Sequence, residues 1–252
     1  AREIIMENNL EYQKWLDKLK EKKVLLGYVP IELRTKEMCE IATKNCSLDL
    51  QDVPEKFKTY ELCTMAVKKN GWALEFVPEE LKTKELCTIA VSIRGAALEY
   101  VPEELKTKEL CTIAVSIRGA ALEYVPEELK TKELCTIAVS IRGAALEYVP
   151  EELKTQELCE IAVNHEHKGY LLKYVPMEFR TPELCEKAVM DEIWNLKHVP
   201  EELRTLELCE MAIEKCRYWD NSSTMLMDVP EEYQEELAEK YDIDLPEKGK
   251  GR

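Results

Sequence analysis

At 252 residues the chain is long enough to bury a substantial core as one large domain or two ordinary ones, and its 45% hydrophobic and 34% charged residues suit a soluble folded protein. Only 8 glycines and 3 phenylalanines are present, and long β-branched runs are absent, which disfavours a fold with many strands and turns. The formal net charge of -15 opposes any broad phosphate-neutralising surface, so nucleic acid is not an expected partner, whereas cationic protein segments are.

No stretch approaches the ~18–20 apolar residues needed to span a bilayer, and no apolar signal segment stands at the N-terminus, so no membrane association is expected. The chain starts at Ala1 rather than Met, which points to a trimmed form of a longer protein.

Residues 3 to 22 open the chain as a predicted capping helix, with Tyr12, Trp15, Leu16 and Leu19 at i, i+3, i+4 and i+7. Val-Pro pairs then recur at Val29, Val53, Val77, Val101, Val125, Val149, Val175, Val199 and Val229, taking nine of the eleven prolines. Their spacing is 24 residues, lengthened by two after Val149 and by six after Val199. Eight copies carry T-x-E-[LM]-C at a fixed offset, from Thr35–Cys39 to Thr205–Cys209. A 24-residue unit cannot bury enough apolar surface to fold alone, so the copies must stack. Residues 77–100, 101–124 and 125–148 are identical, which reflects either recent tandem duplication or deliberate insertion of a chosen repeat.

Within the copy at Val101, Thr107 is an expected N-cap, worth about 1 kcal/mol. Glu109 follows where a helix start favours negative charge, and Pro182 at the matching position of a later copy fixes the helix start. The helix is expected to run from Lys108 to about Arg118 and to close at Gly119 in the left-handed conformation. Leu110, Ala114 and Ile117 share its apolar face, widened by Cys111, Ile113 and Val115, with Glu109, Thr112 and Ser116 as a polar stripe. Proline inside a continuous helix costs about 3 kcal/mol. The second half is therefore expected as a short turn over 120–124, an extended Val125 and another short turn from Pro126, burying Leu122, Tyr124, Val125 and Leu129. Tyr233, Leu237 and Tyr241 mark an acidic C-terminal helix.

The expected fold is thus an all-α solenoid of eight to nine stacked repeats, winding as a right-handed superhelix. It would form a single domain over 1–252, with a cap at 1–28, repeats at 29–228, a second cap at 229–246 and a frayed tail at 247–252. The wording VPEELKTKELCTIAV followed by G-x-A-L-E-Y resembles the bacterial helical repeats known as domain of unknown function 4116, over about residues 24–232. The resemblance implies the helical-repeat fold and brings no activity with it. Repeat length and the mixture of helix lengths are more loosely similar to the leucine-rich repeat variant solenoids.

Ten cysteines invite a disulfide or metal reading, but eight of them (Cys39, Cys63, Cys87, Cys111, Cys135, Cys159, Cys185 and Cys209) share one position on the buried arc. Neighbouring helices pack about 8–10 Å apart, beyond the ~7 Å reach of a disulfide. They read as small buried hydrophobes in a cytoplasmic or otherwise reducing compartment. Cys46 and Cys216 share a second position and read as reactive or partly buried thiols. His165 and His167, with His198 elsewhere, are a weak metal signal. No nucleophile elbow, phosphate-cradling glycine loop or HExxH helix is present, so neither catalysis nor a cofactor is expected.

Candidate binding residues lie where copies differ or form rows. After the helix, Ala96, Ala120 and Ala144 of the identical copies align with Leu48, Trp72, Tyr170, Trp194 and Tyr218, which are either packing groups or exposed anchors. The pairs Glu79–Glu80, Glu103–Glu104, Glu127–Glu128 and Glu151–Glu152 are either an acidic row along the stack or helix-start acids serving the local dipole. Together these features suggest a monomeric, non-catalytic scaffold presenting an acidic surface to a protein or peptide, a cationic one by charge. The alternative is a structural or engineered spacer without a specific ligand.

Overall fold

The computed structural model describes residues 2–165, 169–216 and 222–245, and the expectations placed on Tyr218, His167 and the tail at 247–252 lie outside them. The chain divides into two compact units, 1–129 and 130–252, the division falling within the last of the identical copies. The described residues contain α-helices and 3-10 helices and no strand. Each unit is an all-α solenoid stack.

The first unit begins with α1 (Arg2–Lys20), followed by α2 (Lys36–Asn45), α3 (Tyr60–Lys69), α4 (Lys84–Ile93) and α5 (Lys108–Ile117). The second holds α6 (Lys132–Ile141), α7 (Gln156–Asn164), α8 (Pro182–Asp191) and α9 (Leu206–Cys216), closed by α10 (Ser222–Leu226) and α11 (Glu231–Tyr241). In every copy the threonine hydroxyl accepts the N–H three residues on, at 3.2–3.4 Å, as in Thr107 with Leu110 and Thr181 with Leu184. Pro182 occupies the first turn of α8, where a missing N–H costs nothing.

Between α-helices the chain forms two 3-10 runs parted by the Val-Pro pair. In the copy at Val77 these are Gly95–Tyr100 and, after the pair, Glu103–Leu105. Val101 is extended, with φ -82 and ψ 129, and Pro102 starts the next run from its N-cap. The proline ring thus sits where no N–H is needed, as its fixed φ and lost donor require.

Each long 3-10 run packs against its own α-helix and against that of the following copy. In the first unit Ser47–Asp52 touches α2 and α3, Gly71–Phe76 touches α3 and α4, and Gly95–Tyr100 touches α4 and α5. The second repeats this arrangement with Gly143–Tyr148 between α6 and α7. Adjacent α-helices also touch, giving an α row and a 3-10 row with the core between them. Leu86, Cys87, Ala90 and Val91 of α4, with Ala97, Leu98 and Val101, set the pattern of that core, and Asp49 and Asn195 stand buried at the Ala97 position of two other copies. Burial of one such leucine or valine stabilises by about 1.5–3 kcal/mol. Tyr124 and Leu129 are half-buried, and Ile117, expected on the apolar face, is 46% exposed at the end of α5.

Helix closure differs from the left-handed glycine expected. α5 ends at Ile117, Arg118 is extended at φ -146, and Gly119 starts the next 3-10 run. At the same position, Gly71, Gly95 and Gly143 avoid the left-handed region and meet the following copy instead. A Cβ on Gly95 would lie 2.2 Å from the Ala114 carbonyl oxygen, and one on Gly71 2.5 Å from that of Ala90. The glycine is there for close approach. Ser47 and Ile193 occupy this position elsewhere, so the tight approach belongs to the glycine-bearing copies.

α1 covers the N-terminal end with Leu16 and Leu19, and α11 covers α9 with Leu237, as caps should. Asp49 accepts from Leu26 N and Asn195 bonds Leu172 N and Ala188 O, but Thr43, where other copies have valine or isoleucine, is fully buried with its hydroxyl unpartnered. A hydroxyl left this way costs about 1–3 kcal/mol.

Gly95→Ala should lower unfolding stability by about 1–3 kcal/mol through overpacking against the Ala114 carbonyl. Gly169→Ala, where the nearest atom to an added Cβ is 3.8 Å away, should leave stability unchanged or slightly raised. Guanidinium denaturation of both variants checks this, and an equal effect would remove the close-approach argument.

Candidate interaction surface

One basic residue, six places after each Val-Pro valine's predecessor and immediately before the capping threonine, recurs in all eight copies of this acidic chain: Arg34, Lys58, Lys82, Lys106, Lys130, Lys154, Arg180 and Arg204. The three arginines are spent on backbone carbonyls. Arg34 donates to Val29 O at 2.9 Å, to Gly27 O before its copy at 3.2 Å and to Asp52 O at the end of its copy at 2.6 Å. Arg180 reaches Val175 O and His198 O, and Arg204 reaches Val199 O, Lys197 O and Asp228 O. A guanidinium has donors enough to tie a loop to its neighbour in this way.

Lysine has fewer, and it takes a carboxylate instead. Lys82 Nζ lies 2.5 Å from Glu79, Lys106 Nζ 2.7 Å from Glu103 and Lys154 Nζ 2.6 Å from Glu151. Those lysine side chains are only 5–7% exposed, while the glutamates are 74–75% exposed. Glu79, Glu103 and Glu151, the first members of their pairs, thus each hold a buried lysine. This cation was missed in the sequence reading, although its presence in every copy was a visible signal.

Glu80, Glu104 and Glu128, the second members, are exposed, as are Glu79, Glu103 and Glu127. Exposed Glu75 and Glu99 add a parallel row, and each accepts from the phenol of the following copy, Glu75 from Tyr100 and Glu99 from Tyr124. Partial burial and then these carboxylates push both phenols up. In the second unit, the successive pairs Glu201–Glu202 and Glu231–Glu232, with Pro230, line one open hollow of about 670 Å³.

Trp72 is half-buried, its ring edge-on to Tyr100 of the next copy at 5.8 Å and 68°. Trp194 is half-buried in the run Ile193–His198, and Tyr170 is 46% exposed with Lys197 Nζ 5.8 Å from its ring centre. The large residues thus serve packing and exposure together. The structure does not gather them with the glutamate pairs into one enclosed site.

All ten cysteines are free thiols. Burial pushes Cys39, Cys63, Cys87, Cys111, Cys159, Cys185 and Cys209 up to about 11, against the pull of the basic residue of the same copy, such as Arg34 for Cys39 and Lys106 for Cys111. Cys46 is half-buried, and Cys216 is fully buried. His165 and His198 are half-buried, and burial first, then Lys197 and Arg180, lower His198. Among the described residues, no three His, Cys, Asp or Glu side chains are grouped to hold a metal ion, and no helix is long and apolar enough to cross a membrane.

The thiols give a pH expectation. An unfolded thiol ionises near about 8.5, and the native ones near about 11. Between these values the native state retains protons that the unfolded chain loses, so stability is full below the lower value and falls as pH rises through the upper. Denaturant midpoints measured from neutral to alkaline pH should decline. A variant with Cys87 and Cys111 replaced by alanine should decline less steeply, and equal slopes would contradict the burial of these thiols.

No curated protein and no solved structure matches the chain. Two adjacent segments, residues 59–106 and 107–154, match the family model described as Domain of unknown function (DUF4116). Each match begins at a capping threonine, Thr59 or Thr107, and ends on the basic residue of the second copy after it, Lys106 or Lys154. Each 48-residue match therefore holds two 24-residue copies. Residues 59–154 of this chain are thus similar to two tandem units of that family.

Proposed function

We propose that the chain is a non-catalytic repeat scaffold whose 3-10 side binds a cationic protein or peptide segment. The observation that carries this reading is the hollow of about 670 Å³ shared by the successive pairs Glu201–Glu202 and Glu231–Glu232. A groove walled by acids of the last copy and of the C-terminal cap suits a chain of basic side chains running across the stack. In the first unit the glutamate pairs recur every 24 residues, and the second of each pair is not consumed by the lysine of its own copy. Trp72 and Trp194 offer half-buried aromatic surface beside which such a segment could gain apolar contact. The free thiols fit a reducing compartment.

A second reading is favoured by the identity of residues 77–100, 101–124 and 125–148. Identical copies suit a spacer whose number sets length, with no ligand on its surface.

A lysine-rich peptide at low salt is the direct probe. Reversing Glu80, Glu104 and Glu128 to lysine together should weaken its binding about tenfold or more, from contributions of roughly 0.2–1 kcal/mol per lost pair and added repulsion. Reversing Glu235, Glu236 and Glu239 on α11, which are also exposed, should change it far less. Equal losses in the two variants would reduce the row to bulk net charge and remove this reading.

A further inference from the structure

The outer seam between successive α-helices contains a position that this chain fills in two ways. At the N-terminal end, Tyr12 of α1 lies against α2, its hydroxyl 3.4 Å from Thr35 Oγ1 and donating to Glu37 Oε2 at 3.2 Å. Between α3 and α4, the hydroxyl of Tyr60 lies 3.4 Å from Thr83 Oγ1. Both phenols are half-buried and both belong to residues 23 places before the threonine they meet. A tyrosine hydroxyl brought to the capping threonine of the next helix is therefore an arrangement this scaffold uses.

Between α6 and α7 the same register holds Lys132, 23 places before Thr155 and 25 before Glu157. Lys132 is exposed and lies at the edge of an open groove of about 230 Å³. Leu153, Leu158 and Ile161 supply its apolar floor, and Thr155 and Glu157 its polar end. The groove is smaller than the about 300–1,000 Å³ of sites for drug-sized ligands, so its scale suits one side chain. Thr155 Oγ1 accepts from Leu158 N at 3.3 Å and has a lone pair and a proton to spare. Glu157 stands at the position from which Glu37 accepts the hydrogen bond of the Tyr12 phenol.

We propose that the groove between α6 and α7 is a binding site for a tyrosine side chain of a partner polypeptide, which would repeat there what Tyr12 and Tyr60 do within the chain. The ring covers Leu158 and Ile161, and the phenol donates to Glu157 beside the capping hydroxyl of Thr155. Lys132 borders the ring and is free to turn over its face, a favourable placement for an ammonium group. The site is on the α side and does not require the glutamate pairs to bind anything.

The test is an amide NMR titration of the full chain with the capped peptide Gly-Tyr-Gly, with Gly-Phe-Gly as its counterpart. The tyrosine peptide should shift Thr155 and Leu158 saturably, and the phenylalanine peptide should bind about three- to tenfold more weakly for want of the phenol hydrogen bond. Lys132→Tyr places the chain's own ring in the groove, as Tyr60 does elsewhere, and should abolish those shifts with the fold intact. Tyr60→Lys gives α3 the residue of the identical copies and should add shifts at Thr83 and Leu86. Absence of shifts in the unaltered chain, their persistence in Lys132→Tyr, failure of Tyr60→Lys to gain them, or equal binding of the two peptides would each overturn the proposal.

Discussion

Where Gly95 meets the carbonyl of Ala114, successive copies approach so closely that a methyl group would stand 2.2 Å from the oxygen. In the glycine-bearing copies that approach seats the long 3-10 run between two α-helices, where Ala97, Leu98 and Val101 find apolar cover on both sides. A 24-residue copy has no such cover by itself, since its helix is apolar over most of its surface. Stacking is therefore a condition of folding rather than an addition to it. The Val-Pro pair serves the same end by breaking the second half into two short runs, which returns the chain to the α row for the next copy.

The basic residue before each capping threonine is held in one of two ways. Arginine satisfies carbonyls at both ends of its own copy, so Ile31 or Met177 can stand where lysine copies carry their first glutamate. Lysine requires that glutamate, and the partner must follow it from copy to copy. Much of the acidic patterning is thus a consequence of the stack. The charge left for recognition is the second glutamate of each pair, together with the Glu75 and Glu99 row that the tyrosines partly occupy.

The repeat, the capping threonines, the start of α8 at Pro182 and the Val-Pro break were legible in the sequence because each is set by local backbone chemistry and repeats at a fixed offset. The function of Gly95 was not, since a glycine after a helix reads equally as a left-handed stop or as room for a neighbour, and only the distance to Ala114 separates them. Lys82 and Lys106 were overlooked for a related reason. A lysine beside a glutamate in a charged stretch looks solvated until its burial is known. Tyr60 and Lys132 share the second place of T-x-E-[LM]-C, but nothing in that motif tells that a side chain there reaches the threonine of the next copy.

Two functional readings share this framework and diverge on what an added copy does. If the glutamate pairs bind across the stack, each copy contributes recognition as well as length; if the copies are a spacer, only length and stability change. The deciding measurement is the affinity of one long lysine-rich peptide for chains carrying two, three, four and five of the identical copies, at fixed ionic strength and with folding checked. The binding account expects affinity to climb with copy number until the peptide is spanned. An affinity that stays constant across the series would contradict it and leave the spacer.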